Sequence, residues 1–247
     1  MKRFVLAATL ALAATPAAAF DAKEKSEIET IVREYLLANP EIMVEMQQAF
    51  EARQRKAQEA AARVALEENR EKVFSSEYQA QIGPDDADVT IVEFFDYNCY
   101  YCGRGLDDMN KLLESDPKVK FVLKELPIIR AESVGAHRVS LAVSRLAPEK
   151  YAEFHNALFA VEGVKTDQDA LRIAGELGLE REKLVEEANS PAIEAALRES
   201  TELAQALGAT GTPFYVVGDE FAFGAQGFEE LRAKVANLRS CGSATCS

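Results

Sequence analysis

Apolar residues recur along this chain with two different periods, and the change from one to the other divides it. From residue 21 to about residue 73 they recur every three or four positions among Ala, Glu, Gln, Lys and Arg, and glycine is absent. This spacing predicts amphipathic helices. The Asn39-Pro40 step separates two helices, because the residue before a proline disfavours helical geometry and proline suits the first turn of a new helix.

Each of these two helices places its apolar side chains on one face, and an apolar face must be buried somewhere. The members are Ile28, Ile31, Val32, Tyr35 and Leu36 in the first helix, and Ile42, Met43, Met46 and Phe50 in the second. Packing against the rest of the chain is one solution. Self-association into a helical stalk is the other, and we favour it because so much helix exceeds what a small α/β domain needs to cover itself.

Beyond the helices, residues 74–88 contain turn-forming residues, including Gly83-Pro84, and we interpret them as a linker. The pattern then changes to that of a compact α/β domain, residues 89–247. Its first strand is a nearly continuous apolar run, which is typical of a strand buried on both faces. The predicted elements are strands at 89–95, 119–127, 212–217 and 220–223, a helical insertion at about 131–207, and a last helix at 228–238.

Two cysteines with two residues between them follow the first strand directly. Cys99 and Cys102 stand in the sequence Phe-Phe-Asp-Tyr-Asn-Cys-Tyr-Tyr-Cys, and apolar residues at helical spacing follow them. A helix that begins at Cys99 would offer unpaired N–H groups and the positive end of its dipole to that sulfur. Such a position lowers a thiol pKa from about 8.5 to roughly 3.5–7.5. The pattern therefore predicts a redox site, with Cys99 as nucleophile and Cys102 as the thiol that can resolve a mixed disulfide.

The first residues and the net charge indicate where the protein works. A basic start, a short apolar run and Ala17-Ala18-Ala19 predict a secretory signal peptide, residues 1–19, with cleavage after Ala19. We expect a periplasmic protein, in an oxidising compartment where disulfides persist. The net charge of −13 argues against binding to nucleic acid or to anionic membranes, since no basic stripe is present to neutralise phosphates.

The order of these elements resembles the thioredoxin fold with a DsbA-type helical insertion, and the resemblance covers residues 89–240. A Cys-x-x-Cys motif by itself would be weak evidence for a redox site, because zinc sites also use this spacing. Zinc would need further ligands at comparable spacing, which His137, His155, Cys241 and Cys246 do not offer. We therefore expect no cofactor and no resident metal.

The whole chain is similar to the suppressor-of-copper-sensitivity C-type (ScsC-like) branch of that family. Members have an N-terminal helical segment, here residues 20–73, and a motif much like the one at Phe94 to Cys102. The resemblance implies a disulfide isomerase, assembled by that segment into a homo-oligomer, with a trimer favoured. It also implies a membrane-bound thiol reductase (ScsB/DsbD-like) as partner and exported proteins with disulfides or thiols as substrates.

The resemblance also assigns roles around the cysteines. Tyr100 and Tyr101 lie where strongly oxidising relatives include a histidine. Because tyrosines supply no positive charge, a milder redox potential is expected, which suits isomerisation. Thr212-Pro213 resembles the cis-proline loop that faces the cysteines. Glu93 is the candidate buried acid that moves the proton of the second thiol, with Lys124 as a weaker candidate partner.

The remaining chemistry-bearing residues carry weaker signals. Cys241 and Cys246 lie in a tail of small residues, where a disulfide is the favoured interpretation and capture of a soft metal such as Cu(I) is the alternative. His137 and His155 fall within helical patterns, and we expect no chemical role for them.

These observations predict a periplasmic protein disulfide isomerase that acts on misoxidised exported proteins. Two alternatives remain open at this stage. One is a monomeric DsbA-like dithiol oxidase whose helices fold back onto its body. The other is a copper-binding protein of a copper-tolerance system, with one of the two cysteine pairs as ligands.

Overall fold

The computed structural model describes residues 20–246 and contains a five-stranded mixed sheet between residues 80 and 223. The predicted signal peptide lies outside the described residues. The strand order is β1-β3-β2-β4-β5, with β2 and β3 parallel and every other neighbouring pair antiparallel. The strands are β1 (Ala80–Ile82), β2 (Val89–Phe95), β3 (Val119–Glu125), β4 (Phe214–Val217) and β5 (Glu220–Phe223).

Helices account for most of the rest of the described chain. They are α1 (Ala22–Ala38), α2 (Glu41–Glu68), α3 (Arg70–Ser75), α4 (Tyr100–Ser115), α5 (Ala131–Leu146), α6 (Pro148–Phe159), α7 (Asp167–Glu176), α8 (Arg181–Ala188), α9 (Pro191–Ala206) and α10 (Phe228–Cys241). The predicted helical insertion is confirmed as α5 to α9, and the break at Asn39-Pro40 is confirmed between α1 and α2. The mixed α/β fold class is likewise confirmed.

The chain divides into two compact units, and the division falls within α2, between Arg55 and Lys56. The described part of the first unit is helical, and its apolar side chains are largely exposed. Those with at least two fifths of their surface exposed are Phe20, Ile28, Ile31, Val32, Tyr35, Leu36, Leu37, Met43, Val44, Met46 and Phe50.

The second unit is built on the two faces of the sheet. Successive residues of a strand point to opposite faces, so that Ile91 and Phe95 join one apolar cluster whereas Val92 and Phe94 join another. The first cluster packs against α4, α10 and α5 to α8, with members such as Met109, Tyr151 and Leu231. The second packs against the end of α2, α3 and α9, with members such as Leu66, Val73 and Leu203.

Residues 74–88, which the sequence pattern assigns to a linker, lie against this second unit. The stretch contains β1, whose Ala80 is buried and pairs with Leu123 of β3. Only three residues form that strand, and turn-forming residues surround it. Such a short strand gives too little alternation of apolar and polar residues to be recognised in the sequence. Its hydrogen-bonded pairing with β3 identifies it in the structure.

Within residues 20–246, no helix combines the length and apolar character needed to cross a membrane.

Replacing Leu66 should show that the C-terminal part of α2 belongs to the core of the second unit. Leu66 is 1% exposed and lies against the sheet, whereas Val64, two residues earlier, is 58% exposed. We expect Leu66→Ala to lower the free energy of unfolding by about 2–5 kcal/mol, because it leaves a cavity. Val64→Ala should change it by no more than about 0.5 kcal/mol. Urea unfolding measures both, and equal effects would contradict this packing.

Candidate active site

The candidate site lies where β2 passes into α4. β2 ends at Phe95, and Cys99 is the N-cap of α4, in extended backbone conformation. The Cys99 amide donates to Asp96 O at 2.9 Å, and the Gly103 amide donates to Cys99 O at 3.2 Å. The apolar strand and the amphipathic helix thus meet at the first cysteine, as the sequence pattern predicts.

Cys99 is held as a readily ionised thiol. A hydrogen bond from the Cys102 thiol is the main cause that lowers the pKa of Cys99 to about 6, against the opposing effect of burial. The backbone amides of Tyr101 and Cys102 add to the effect, as expected at a helix N-terminus. When protonated, Cys99 Sγ lies 3.1 Å from Thr212 O, to which it donates. The Cys99 side chain is 8% exposed, so one edge of it reaches the surface.

Cys102 lies in the opposite environment. It is buried in the apolar cluster beneath α4, and burial raises its pKa far above the ordinary value. Its hydrogen bond to Cys99 and the nearby Glu93 act in the same direction. Both cysteines are free in the structure. The pair therefore has one sulfur that ionises near neutral pH and a second that keeps its proton until a base removes it.

Thr212-Pro213 forms the wall of the site opposite α4. The peptide bond between them is cis, as the resemblance in the sequence implies. Thr212 supplies the carbonyl that accepts from Cys99, and its side chain helps to lower the pKa of Cys99. The buried Thr212 hydroxyl has no hydrogen-bond partner of standard geometry among the described residues.

Glu93 lies beneath the cysteines on β2 and is 4% exposed. Burial raises its pKa to about 8, and a neighbouring Tyr215 hydroxyl opposes part of that rise. Lys124 does not partner it, because Lys124 pairs with Phe94 in the register and so points to the other face of the sheet. There the Lys124 amine donates to Glu199 at 3.2 Å and to the carbonyl of Lys72.

Tyr100 and Tyr101 form the exposed rim of the site. They are 73% and 56% exposed, and their rings meet edge to face with centroids 5.4 Å apart. Neither supplies a positive charge to Cys99.

Asp96 organises the loop before Cys99, and the sequence analysis did not single it out. Its carboxylate accepts from the amides of Asn98 and Ile129 and from the Ser133 hydroxyl, each at 2.8 Å. Burial opposes its ionisation, but the hydrogen bonds, with His137 first among them, hold the pKa of Asp96 below its ordinary value.

His137 connects Asp96 to a second carboxylate, although the sequence analysis gave it no role. Its Nδ1 contacts Glu125, and its Nε2 lies 3.6 Å from Asp96 Oδ1 and 3.2 Å from the Tyr97 amide nitrogen. Burial opposes its protonation, yet the carboxylates of Glu125 and Asp96 raise the pKa of His137 to about 9. His155, by contrast, is kept neutral because burial lowers its pKa to about 3.

This network anchors the loop to the helical insertion. The Tyr97 hydroxyl meets Ser140 at 2.8 Å and His155 Nδ1 at 2.9 Å. Ser140 donates in turn to Glu125. The helical period placed both histidines on α5 and α6 correctly, but period alone does not show that these faces are fully buried and aligned with the end of β2. The one sequence feature that could have indicated this network is Asp96, an acid directly before Tyr-Asn-Cys.

The tail cysteines lie far from this site. Cys241 and Cys246 form a disulfide, the favoured interpretation of the sequence. Arg239, two residues before Cys241, binds Asp116 at the C-terminus of α4, whereas Cys99 caps its N-terminus. A helix of this length spans roughly 24 Å. The tail disulfide therefore takes no part in the site at Cys99.

The sequence matches two family models that agree with this arrangement. Residues 90–236 match the DSBA-like thioredoxin domain. Residues 24–57 match the N-terminal domain of the copper resistance protein ScsC.

Solved structures and a curated relative resemble the chain over different lengths. A thioredoxin-like oxidoreductase from Silicibacter pomeroyi is 38% identical, with 70% of this chain and 99% of that chain covered and a TM-score of 0.66. A linker-deletion mutant of ScsC from Proteus mirabilis is 25% identical, with 91% and 99% covered and a TM-score of 0.68. The Na(+)/H(+) antiporter NhaA 3 of Salinispora tropica is 26% identical over 153 residues, which are 62% of this chain but only 24% of the antiporter.

The pH dependence of alkylation should reveal the ionisation of Cys99. We expect the rate with iodoacetamide to reach half its maximum near pH 6, where the thiolate forms, rather than near the value of about 8.5 for an ordinary cysteine. Cys102→Ala should move this midpoint upward, because it removes the hydrogen bond that stabilises the thiolate. Mass spectrometry locates the label. An ordinary midpoint in the parent protein would contradict the geometry described for α4.

The charge on His137 should appear as a pH-dependent contribution to stability. A pKa that is raised on folding stabilises the fold below it, and this contribution is lost as the pH rises through about 9. His137→Gln should therefore cost roughly 1–2 kcal/mol more at about pH 7.5 than at about pH 10. His155→Gln is the matched control, because His155 is neutral at both pH values. Urea unfolding at the two pH values measures the difference, and a parallel response of the two variants would count against a charged His137.

Proposed function

We propose that this chain, which belongs to the DsbA-like thioredoxin domain family, is a disulfide isomerase of the periplasm. It is a thiol-disulfide oxidoreductase of the ScsC/DsbA type. The observation that supports isomerisation in particular is the row of exposed apolar side chains on α1 and α2, in a chain that also holds a reactive dithiol. A dithiol by itself is sufficient for thiol–disulfide exchange. A segment that assembles several copies of the chain would allow several active sites to act on one substrate, which suits isomerisation.

The exchange reaction follows from the unequal cysteines. The Cys99 thiolate attacks one sulfur of a substrate disulfide, a Cys99–substrate disulfide forms, and the other substrate sulfur leaves as a thiolate. In isomerisation, a different substrate thiolate attacks the substrate sulfur of the mixed disulfide, a new substrate disulfide forms, and Cys99 leaves as a thiolate. If the substrate stalls, Cys102 attacks Cys99 instead, which leaves the substrate reduced by two electrons and the enzyme pair oxidised.

The surroundings of Cys99 favour isomerisation over net oxidation. Tyr100 and Tyr101 add no positive charge beside the thiolate, so Cys99 is a less extreme leaving group than in relatives with a histidine there. Thr212 supplies its carbonyl to the same sulfur. Isomerisation requires the reduced pair. We therefore propose a membrane-bound thiol reductase of the ScsB/DsbD type as electron donor, and exported proteins with misplaced disulfides as substrates.

The N-terminal helices provide the assembly. Residues such as Ile31, Met43 and Phe50 are each at least three fifths exposed, and water contact with so many apolar side chains is unfavourable. Residues 24–57 match the ScsC N-terminal domain over the same stretch. We propose that this segment forms a homo-oligomer, with a trimer favoured, which presents several dithiols to a shared space.

Two other functions have less support. A monomeric dithiol oxidase would need to cover the apolar faces of α1 and α2 by folding these helices back onto its own body, but Ile31, Met43 and Phe50 are exposed. A copper-binding protein would need free thiolates, because soft ions prefer them, but Cys241 and Cys246 are joined to each other and Cys102 is buried.

Breaking the assembly should separate isomerisation from simple reduction. We expect Ile31→Glu combined with Phe50→Glu to convert the oligomer to monomers, because it puts charge into the apolar contact. Refolding of scrambled ribonuclease should then fall severalfold, whereas reduction of insulin continues. Sedimentation gives the mass. Removal of residues 20–55 should act in the same way, since the second unit begins at Lys56 and keeps its own core.

The matched control is Gln48→Glu, which adds charge at an exposed polar position of α2. It should leave both mass and refolding unchanged. A parent protein that sediments as a monomer would favour the dithiol oxidase. Full refolding activity in the monomeric variant would remove the argument from assembly.

A further inference from the structure

Tyr215 lies beside the buried acid Glu93 on the neighbouring strand. The two residues are direct partners in the antiparallel pairing of β2 and β4, so their side chains share one face of the sheet. Both side chains are almost completely buried, at 4% and 1% exposed. The Tyr215 hydroxyl has no hydrogen-bond partner of standard geometry among the described residues, although it lies close enough to Glu93 to oppose part of the rise in that pKa.

Helix α4 leaves room for this hydroxyl at Gly105. A Cβ atom built on Gly105 would lie 2.5 Å from Tyr215 Oη and 3.8 Å from Glu93 Oε1. Both polar atoms therefore face the same point of α4, one turn beyond Cys102. Glycine costs about 1 kcal/mol relative to alanine inside a helix. The space beside Gly105 is occupied by Tyr215 Oη rather than by an apolar side chain.

A buried hydroxyl without a partner is unfavourable, and phenylalanine would fill the same volume without that cost. Tyr215 is therefore poorly explained as a core residue alone. The titratable groups around Tyr215 are Glu93 on β2 and Cys102 and Asp108 on α4. Glu93 and Cys102 belong to the candidate site, whereas Asp108 accepts a hydrogen bond from the Phe228 amide at the start of α10. β3 contributes Leu123 opposite Glu93, which is apolar.

We propose that Tyr215 is a positioning residue for proton transfer between Cys102 and Glu93, donating a hydrogen bond to the Glu93 carboxylate when that carboxylate is ionised. The inference rests on the proposed exchange reaction at Cys99. It adds a role for a residue that the cysteine motif and the proline loop do not include.

The proton transfer belongs to the step that resolves the mixed disulfide. The Cys102 thiol gives its proton to the Glu93 carboxylate, and the resulting thiolate attacks Cys99 Sγ. The Cys99–Cys102 bond forms, the bond from Cys99 to the substrate breaks, and the substrate sulfur leaves with the electron pair. The enzyme pair is oxidised, and the substrate is reduced by two electrons.

Glu93 can accept that proton only while it is ionised. Burial raises the pKa of Glu93 to about 8, and the Tyr215 hydroxyl opposes the rise. The hydroxyl thus increases the fraction of carboxylate near neutral pH. Burial raises the pKa of Tyr215 itself far above its ordinary value, so the phenol remains a donor throughout.

Ellman's reagent separates the two steps in the reduced protein. Cys99 releases the first thionitrobenzoate when it attacks the reagent, and Cys102 releases the second when it resolves the mixed disulfide. Stopped-flow absorbance across a range of pH follows both phases. We expect Tyr215→Phe to leave the rate of the first phase unchanged. The pH at which the second phase slows on acidification should rise by about one unit, so that below this pH the second phase is roughly tenfold slower than in the parent.

The controls distinguish this role from packing and from failure of the proposed function. In a Glu93→Gln background, Tyr215→Phe should have no further effect on the second phase. Tyr78→Phe, which alters a partly buried tyrosine beside Leu141 and Ile193, should leave both phases unchanged. Identical second-phase profiles for Tyr215→Phe and the parent would overturn the inference, as would a shift that survives Glu93→Gln. Loss of the first phase in the parent would instead overturn the proposed reaction at Cys99.

Gly105→Ala tests the position of the hydroxyl independently of chemistry. The added methyl should collide with Tyr215 Oη and lower the thermal midpoint of unfolding. In a Tyr215→Phe background the collision is absent, since the next atom of that ring lies 3.8 Å away, and the better helix propensity should raise the midpoint. A change of the same sign in both backgrounds would place the hydroxyl elsewhere and contradict the inference.

Discussion

The N-terminus of α4 stabilises negative charge on Cys99 Sγ, and the features of the site follow from that interaction. The backbone amides of Tyr101 and Cys102 and the thiol of Cys102 all favour the thiolate. Burial is the main cause that raises the pKa of Cys102, and the hydrogen bond that lowers the pKa of Cys99 raises it further, because one thiol donates and the other accepts. Burial and this shared hydrogen bond together make one sulfur the nucleophile and the other a thiol that needs a base.

Strand β2 and the residue after its end carry two acids next to this pair of cysteines. Glu93 points from the strand towards α4, where burial raises its pKa to about 8. Asp96, just beyond its end, holds the loop that leads to Cys99 and is held in turn by His137 and Ser133. The proposed base and the anchor of the loop are therefore three residues apart on one chain segment. A displacement of β2 would disturb the chemistry and the position of the nucleophile together.

Helix α2 has a different character before and after residue 55. Its earlier residues, such as Met43 and Phe50, expose apolar side chains, whereas Ala62 and Leu66 are buried within the second unit. Helical periodicity is the same in both parts, because period depends on backbone geometry alone. What differs is whether a partner surface covers the apolar face, and for the later part the sheet of the same chain is that partner.

The sequence alone determined the order of elements and the position of the two cysteines at a strand-to-helix junction. These properties depend on local patterns: Val89–Phe95 is apolar except at Thr90 and Glu93, α4 repeats at helical spacing, and the turn residues mark the boundaries. It also identified Glu93, Thr212 and Pro213 as candidates, by position relative to a known family pattern.

Only the tertiary structure decided which residues meet. It separated Lys124 from Glu93 by placing them on opposite faces of the sheet, although they lie on neighbouring strands. It brought His137 to Tyr97 in the loop before Cys99, although the two residues are 40 positions apart along the chain, and it set Tyr215 against Glu93 and Gly105. Contacts of this kind depend on strand register and on how deeply each helix packs, and neither quantity is encoded in the period of a single segment.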